Sequence, residues 1–291
     1  MYFYTAFGFG IHSELPLPEL VAAEKAPDDV VICRRRLTNS EQVANQNSTC
    51  FLGETANVGT FLVRGGKEII IDPTPGGDDD LLRTIVLGPI WAVLLRQRGF
   101  AVFHASSIIA SNGAIAFLGG SGWGKSTLAK AFYGRGYGII TDDVLAVRLE
   151  ESPPQVFPAY PSVKLYPDTA SFLRCNASAT RLVHTQMKKH VHHVALRFPQ
   201  GPLPLQRIYV LAVSEHNKIE PLQFQEAFVE LVRNSRAVSL LKDVNSRNGH
   251  LHQCARLVTK VPIRRLKRRA SLTDLPEVMQ LVEEDFTKNT P

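Results

Sequence analysis

The stretch Phe117-Leu118-Gly119-Gly120-Ser121-Gly122-Trp123-Gly124-Lys125-Ser126-Thr127 constrains this chain more than any other. An apolar run, Gly113–Leu118, reads as a buried strand, and Thr127–Tyr133 is compatible with a short helix. Between them the spacing G-x-x-x-x-G-K-[ST] is met without a gap from Gly119 to Ser126. Glycines let the backbone curl until successive N–H groups point inward, and the positive end of the helix dipole lies behind them. Such a loop wraps phosphate. Lys125 then supplies a cation to the terminal phosphates, and the Ser126 hydroxyl is positioned to ligate Mg²⁺. The expectation is ATP with Mg²⁺, held by Gly119, Gly120, Ser121, Gly122, Trp123, Gly124, Lys125, Ser126 and Thr127. Trp123 reads first as a cap on the loop's surface, with stacking on adenine as the alternative.

Sixteen residues beyond Ser126, the run Gly138-Ile139-Ile140-Thr141-Asp142-Asp143 ends an apolar strand in two acids. A carboxylate at that place can hold Mg²⁺ directly or through water. Neighbouring side chains on a strand point to opposite faces, but a broken pleat at the strand end would let both reach one site. One acid could then serve the metal while the other takes a proton from an attacking hydroxyl.

The first residues read as short strands: Tyr2–Ile11, Val30–Cys33, Thr49–Leu52, and a hairpin of Thr60–Val63 with Glu68–Ile71 around Arg64-Gly65-Gly66-Lys67. Asp72-Pro73-Thr74-Pro75-Gly76-Gly77 breaks the pattern and marks a boundary, giving a β-rich module over 1–77 and an α/β domain over 78–291. An amphipathic helix from Asp78 to about Gln97 should be kinked or divided by Pro89. Ala101–Ile109 and Gly113–Leu118 flank a turn at Ala110-Ser111-Asn112. Ile208–Val213 reads as a strand, Leu222–Lys242 as largely helical, Pro262–Arg269 as extended and Leu275–Phe286 as a final helix.

With 44% hydrophobic and 21% charged residues the composition suits a packed globular chain. The balance of 33 basic to 27 acidic residues, a net charge of +6, suits phosphate-bearing ligands without demanding nucleic acid. Cys33, Cys50, Cys175 and Cys254 form no metal-ligating or redox pattern. The start carries no basic secretory leader, and Thr84–Leu95, the longest apolar stretch, is too short to span a bilayer. A cytoplasmic protein without a membrane partner is expected.

His104, in Val102-Phe103-His104-Ala105-Ser106, would read as structural on its own. Together with Gly119–Ser126 and Arg135-Gly136-Tyr137-Gly138-Ile139-Ile140-Thr141-Asp142-Asp143, it resembles the C-terminal catalytic domain of HPr kinase/phosphorylase. The resemblance is specific over these forty or so residues, because few phosphate-loop proteins place the acids so soon after the loop. It implies an α/β fold with a mixed sheet, a P-loop kinase domain of HPr-kinase type behind the smaller β-rich module. It also implies that Asp142 is the general base toward a serine, that Asp143 joins Ser126 at the metal, and that His104 sits near the base and the transferring phosphoryl group. The opening Met1-Tyr2-Phe3-Tyr4, Ser13–Pro18 and Val261–Leu266 look like the HPr-kinase-like proteins of peptide biosynthetic clusters, among them lasso-peptide kinases acting on a C-terminal serine. The implied partner is a peptide or protein with an acceptor serine, and homo-oligomeric assembly is compatible with the family. Tyr137 stands where the family has histidine, and the downstream glycine/arginine/glutamate signature of true HPr kinases has no counterpart here. That signature accompanies the phosphorylase half-reaction, the hexamer and HPr as substrate.

Further basic features are Lys188-Lys189-His190-Val191-His192-His193, which reads as a segment contacting phosphate or substrate, and Pro161–Pro167, which would line an acceptor groove with Lys164 as a phosphate contact. Arg264, Arg265, Lys267, Arg268 and Arg269 form the densest charge run, either a solvated edge or a binder of nucleotide or acidic peptide. Aromatic side chains are not interleaved with it, so nucleic acid is not expected. A kinase of small hydroxylated molecules and a nucleotide-binding sensor with little turnover are the competing readings.

Overall fold

The computed structural model describes residues 1–25, 27–43, 46–110, 113–175, 180–183, 188–240 and 244–288. The fold is mixed α/β. Its N-terminal part is a seven-stranded sheet in the order Val21–Ala22, Tyr2–Ala6, Phe9–Ser13, Val30–Arg34, Glu68–Pro73, Gly59–Arg64, Cys50–Thr55. The hairpin read from the sequence is there, antiparallel from Gly59↔Pro73 to Arg64↔Glu68. Tyr2–Ile11, expected as one strand, is two, because Phe7 and Gly8 take φ of 54° and 75° and turn the chain back on itself.

Asp78 caps the next helix, its carboxylate accepting from the N–H groups of Asp80 and Leu81. Helix Asp79–Ile85 passes into a π-helical turn, Val86–Ile90, and continues as helix Trp91–Gln97. Pro89 lies inside the π turn. It has no N–H to donate, and the wider turn accommodates its ring, so the helix is divided where the sequence placed the proline. The apolar face of this segment, with Val86, Trp91 and Leu94, packs with Phe7, Ile11, Phe61 and Ile71 of the sheet. The same cluster takes in Phe100, Val102, Val144, Ala146 and Tyr160, so one core runs across position 77.

The second sheet has nine strands. Its path is Ile139–Asp142, Ala105–Ala110, Gly113–Leu118, Leu203–Val213, Gln155–Phe157, Leu145–Arg148, Ala101–Phe103, with Lys218–Pro221 and Ile263–Arg268 branching from Leu203–Val213. Gly113–Leu118 pairs in parallel with Leu203–Val213 and antiparallel with Ala105–Ala110. Every residue of Gly113–Leu118 is buried, the pattern of a strand covered on both faces. Helices Lys125–Gly134 and Leu275–Lys288 cover one face through Leu128, Phe132, Val278 and Val282. Helices Phe224–Arg233 and Val244–Lys260 cover the other through Ala227, Leu231, Cys254 and Leu257. A small sheet of Ser162–Leu165, His190–His193 and Thr180–Leu182 stands beside helix Lys125–Gly134.

Leu222–Lys242 is less helical than its sequence suggests. The helix stops at Arg233, and only a 3₁₀ turn, Val238–Leu240, follows before residues 241–243, which lie outside the described set. The turn residues Ser111 and Asn112 also lie outside it. No helix among the described residues is long and apolar enough to cross a membrane.

Candidate functional site

Strand Gly113–Leu118 delivers the chain at Gly119, and Gly122 and Gly124, with φ of 82° and 88°, bend it into the helix beginning at Lys125. An L side chain at Gly124 would be strained in that left-handed conformation and would collide with the Arg268 guanidinium. Lys125 is buried and folds back over its own loop, Nζ donating to the carbonyls of Gly119 at 2.7 Å and Gly120 at 3.0 Å. Burial pushes its amine down to about 8, against the pull of Asp142 and Asp143. Trp123 is 42% exposed and lays its ring across Gly119 and Gly120, where a Cβ on Gly120 would stand 2.9 Å from it. That placement is the surface cap.

Strand Ile139–Asp142 runs antiparallel to Ala105–Ala110 with Asp142 opposite Ser106. The Asp142 carboxylate is almost fully buried, and its Oδ1 accepts from Ser106 Oγ at 2.6 Å and from Ser126 Oγ at 2.8 Å, while Oδ2 accepts from the Lys164 N–H at 3.0 Å. The pleat then breaks. Asp143 takes φ of 80°, and the Thr141 hydroxyl closes the turn by donating to the Val144 carbonyl at 2.6 Å. Aspartate tolerates this left-handed conformation better than most side chains, and the break turns Asp143 into the same cavity as Asp142.

Asp143 is gripped from several elements. His104 Nδ1 lies 2.9 Å from its Oδ1, Arg236 donates to it at 3.0 Å, and Lys164 Nζ stands at 3.5 Å. Burial raises this carboxyl, but Lys164, His104 and Arg236 together outweigh it and hold Asp143 far below the usual carboxylate range. His104 reaches Asp143 because it sits at the break between Ala101–Phe103 and Ala105–Ala110, where its N–H donates to the Asn234 carbonyl at 2.7 Å. The Arg236 N–H donates to the Val102 carbonyl at 2.9 Å, so the chain leaving helix Phe224–Arg233 is laced to the His104 strand and brings Arg236 to the acid. Arg96, half-buried, fastens this lacing, donating to the carbonyls of Arg236 at 2.6 Å and Val102 at 3.0 Å and meeting His250 Nδ1 at 3.2 Å.

All of this surrounds one cavity of about 610 Å³. Its walls include His104, Ser121, Gly122, Gly124, Lys125, Ser126, Thr127, Asp142 and Asp143. The residues expected from the sequence therefore converge, with Gly119 and Gly120 beneath the Lys125 ammonium and Trp123 outside. One pairing differs from expectation: Ser126 meets Asp142, and it is Asp143 that joins His104. Lys164 and Lys189 also line the cavity. His190 and His192 lie on one face of a strand, and among the described residues no group of three or more metal-ligating side chains gathers. The basic run is split by the period of its strand: Arg264 pairs with Asp285, Arg265 with Glu230, Lys267 with Glu220 and Arg269 with Asp274, and only Arg268 turns to the loop, donating to the Trp123 carbonyl at 2.9 Å.

Two contributors escape sequence reasoning. Ser106 is found only through its cross-strand register with Asp142, and Arg236 lies some ninety residues from its partner with no motif around it. No family model matches the sequence, and no curated protein does. Among solved structures the chain is similar to the Hpr(Ser) kinase/phosphatase from Coxiella burnetii, at 13% identity and a TM-score of 0.35, over 64% of this chain and 97% of that one. A likeness so distant assigns no role to any residue.

Proposed function

We propose that this chain is an ATP-dependent phosphotransferase acting on a serine hydroxyl of a peptide or protein, with the C-terminal serine of a lasso-type precursor peptide as the acceptor to try first. The observation that supports it most is the hydrogen bond between Ser126 and Asp142 at the mouth of the glycine loop, with Asp143 and His104 on the wall of the same cavity. A serine hydroxyl and a carboxylate are hard oxygen donors of the kind Mg²⁺ takes alongside water and phosphate. Ser126 and Asp142 would hold it, and it would neutralise charge on the transferring phosphates.

The remaining work falls to the chain's own groups. Loop amides and Lys125 bind the triphosphate tail. The acceptor oxygen bonds to the γ-phosphorus as the bond from that phosphorus to the β-bridging oxygen breaks and ADP leaves, and the acceptor's proton passes to Asp143 with His104 beside it. A carboxylate held so acidic is a weak base, but in a loose phosphoryl transfer the hydroxyl loses its proton late, so orientation matters more than basicity. This assignment exchanges the two aspartates relative to the family resemblance, because the Ser126 hydroxyl is on Asp142.

The test is transfer from γ-labelled ATP with Mg²⁺ to a panel of seryl peptides and, in parallel, of small hydroxylated molecules. Label in a phosphoserine supports the proposal. Label only in small hydroxylated molecules would replace it with a metabolite kinase, and nucleotide binding without any transfer would replace it with a sensor.

A further inference from the structure

Asp143 carries more positive charge than it can balance. Among the described residues it is the one carboxylate within ion-pair reach of both Arg236 and Lys164. The Lys164 side chain is 14% exposed and that of Arg236 27%, and the Arg236 Nε is buried with no hydrogen-bond partner. Both cations line the cavity wall around Asp143, whereas Lys125 and Arg268 stand at the loop. Gly88 of the π turn passes close by, since a Cβ there would stand 3.4 Å from the Arg236 guanidinium and 3.7 Å from the Asp143 carboxylate. Among the described residues that line the cavity, five cations, Lys125, Lys164, Lys189, Arg236 and Arg268, stand against two carboxylates, Asp142 and Asp143.

Resting on the phosphotransferase reading, we propose that Arg236 and Lys164 form a second oxyanion subsite, separate from the glycine loop, which binds a phosphate or carboxylate group beside Asp143. An arginine fork with an ammonium next to it suits a tetrahedral or planar oxyanion, and charge-assisted hydrogen bonds of this type are the strong ones. The anion has two sources, the phosphoryl group in transit or an anionic group of the acceptor next to its hydroxyl.

Inorganic phosphate titrated calorimetrically into the full-length protein saturated with Mg²⁺ and ADP reads the subsite directly. The wild type binds phosphate, and Arg236→Gln and Lys164→Met each weaken it by about tenfold or more, while Arg236→Lys restores part of the loss. Repeating the titration with a non-hydrolysable β,γ-imido triphosphate distinguishes the sources: retained binding assigns the anion to the acceptor, blocked binding to the phosphoryl group. Phosphate affinity equal in the wild type and both charge-removing variants, or no phosphate binding by the wild type, overturns the proposal. Should ADP itself fail to bind, the phosphotransferase reading falls. Phosphate binding to nucleotide-free Lys125→Met protein then still reads the subsite, upheld if it depends on Arg236 and overturned if it does not.

Discussion

Burial tunes Lys125 for the phosphate contact proposed for it. Desolvation in the pocket pushes its amine down to about 8, and a triphosphate bound beside it would raise that value. Binding above pH 8 must therefore take up a proton. ATP affinity should be flat below pH 8 and fall as pH rises through it, by up to about tenfold per pH unit, with Lys125→Met removing the slope. The two aspartates separate in the same manner. Asp142→Asn should raise the Mg²⁺ requirement, and Asp143→Asn should lower turnover by about 10²–10⁴-fold with nucleotide affinity kept. Asparagine also tolerates φ of 80°, so the second change leaves the turn intact. Equal metal dependence in both variants would contradict the assignment. The residues of the loop and the acids were legible from spacing alone, whereas which acid faces Ser126 was not, because it depends on how the pleat breaks after Asp142.

At the scale of elements, the cavity wall depends on helix Trp91–Gln97 and helix Val244–Lys260 meeting through Arg96 and His250. His250 is 3% exposed, and burial, helped by Arg96, pushes its imidazole down to about 4 from an ordinary 6.5. The folded chain thus prefers neutral His250, while the unfolded chain gains the proton first. Stability should be full above pH 6.5 and fall toward pH 4, by about 3 kcal/mol over that window. Denaturant unfolding at pH 7.5 and pH 5 measures it, and His250→Gln should flatten the difference. The helix carrying His250 was not read from the sequence, since its buried residues reduce to the narrow stripe His250, Cys254 and Leu257 in an otherwise polar run. The hairpin, the helix divided at Pro89 and the strand–loop–helix unit were legible, because their periods and breakers are strong and local.

For the molecule as a whole, the core spanning position 77 binds the N-terminal sheet to the cavity wall. Trp91 is 1% exposed and stacks on Phe7, with ring centroids 5.9 Å apart. Trp91→Ala should cost about 3–5 kcal/mol and lower a single unfolding transition seen by both near- and far-UV circular dichroism. Two separate transitions would contradict a shared core. Long-range pairings of this kind leave little trace in local sequence, which is why Arg236 and Arg96 went unseen while the loop did not. The central claim is that a magnesium-bound triphosphate lies between the glycine loop and Asp142. A crystal structure with a non-hydrolysable ATP analogue and Mg²⁺ tests it most directly. The account predicts the Lys125 ammonium released from the Gly119 and Gly120 carbonyls onto phosphate, with the metal between Ser126 and Asp142. An ordered loop without nucleotide, or a metal held by Asp143 with the Ser126–Asp142 hydrogen bond unbroken, would contradict it.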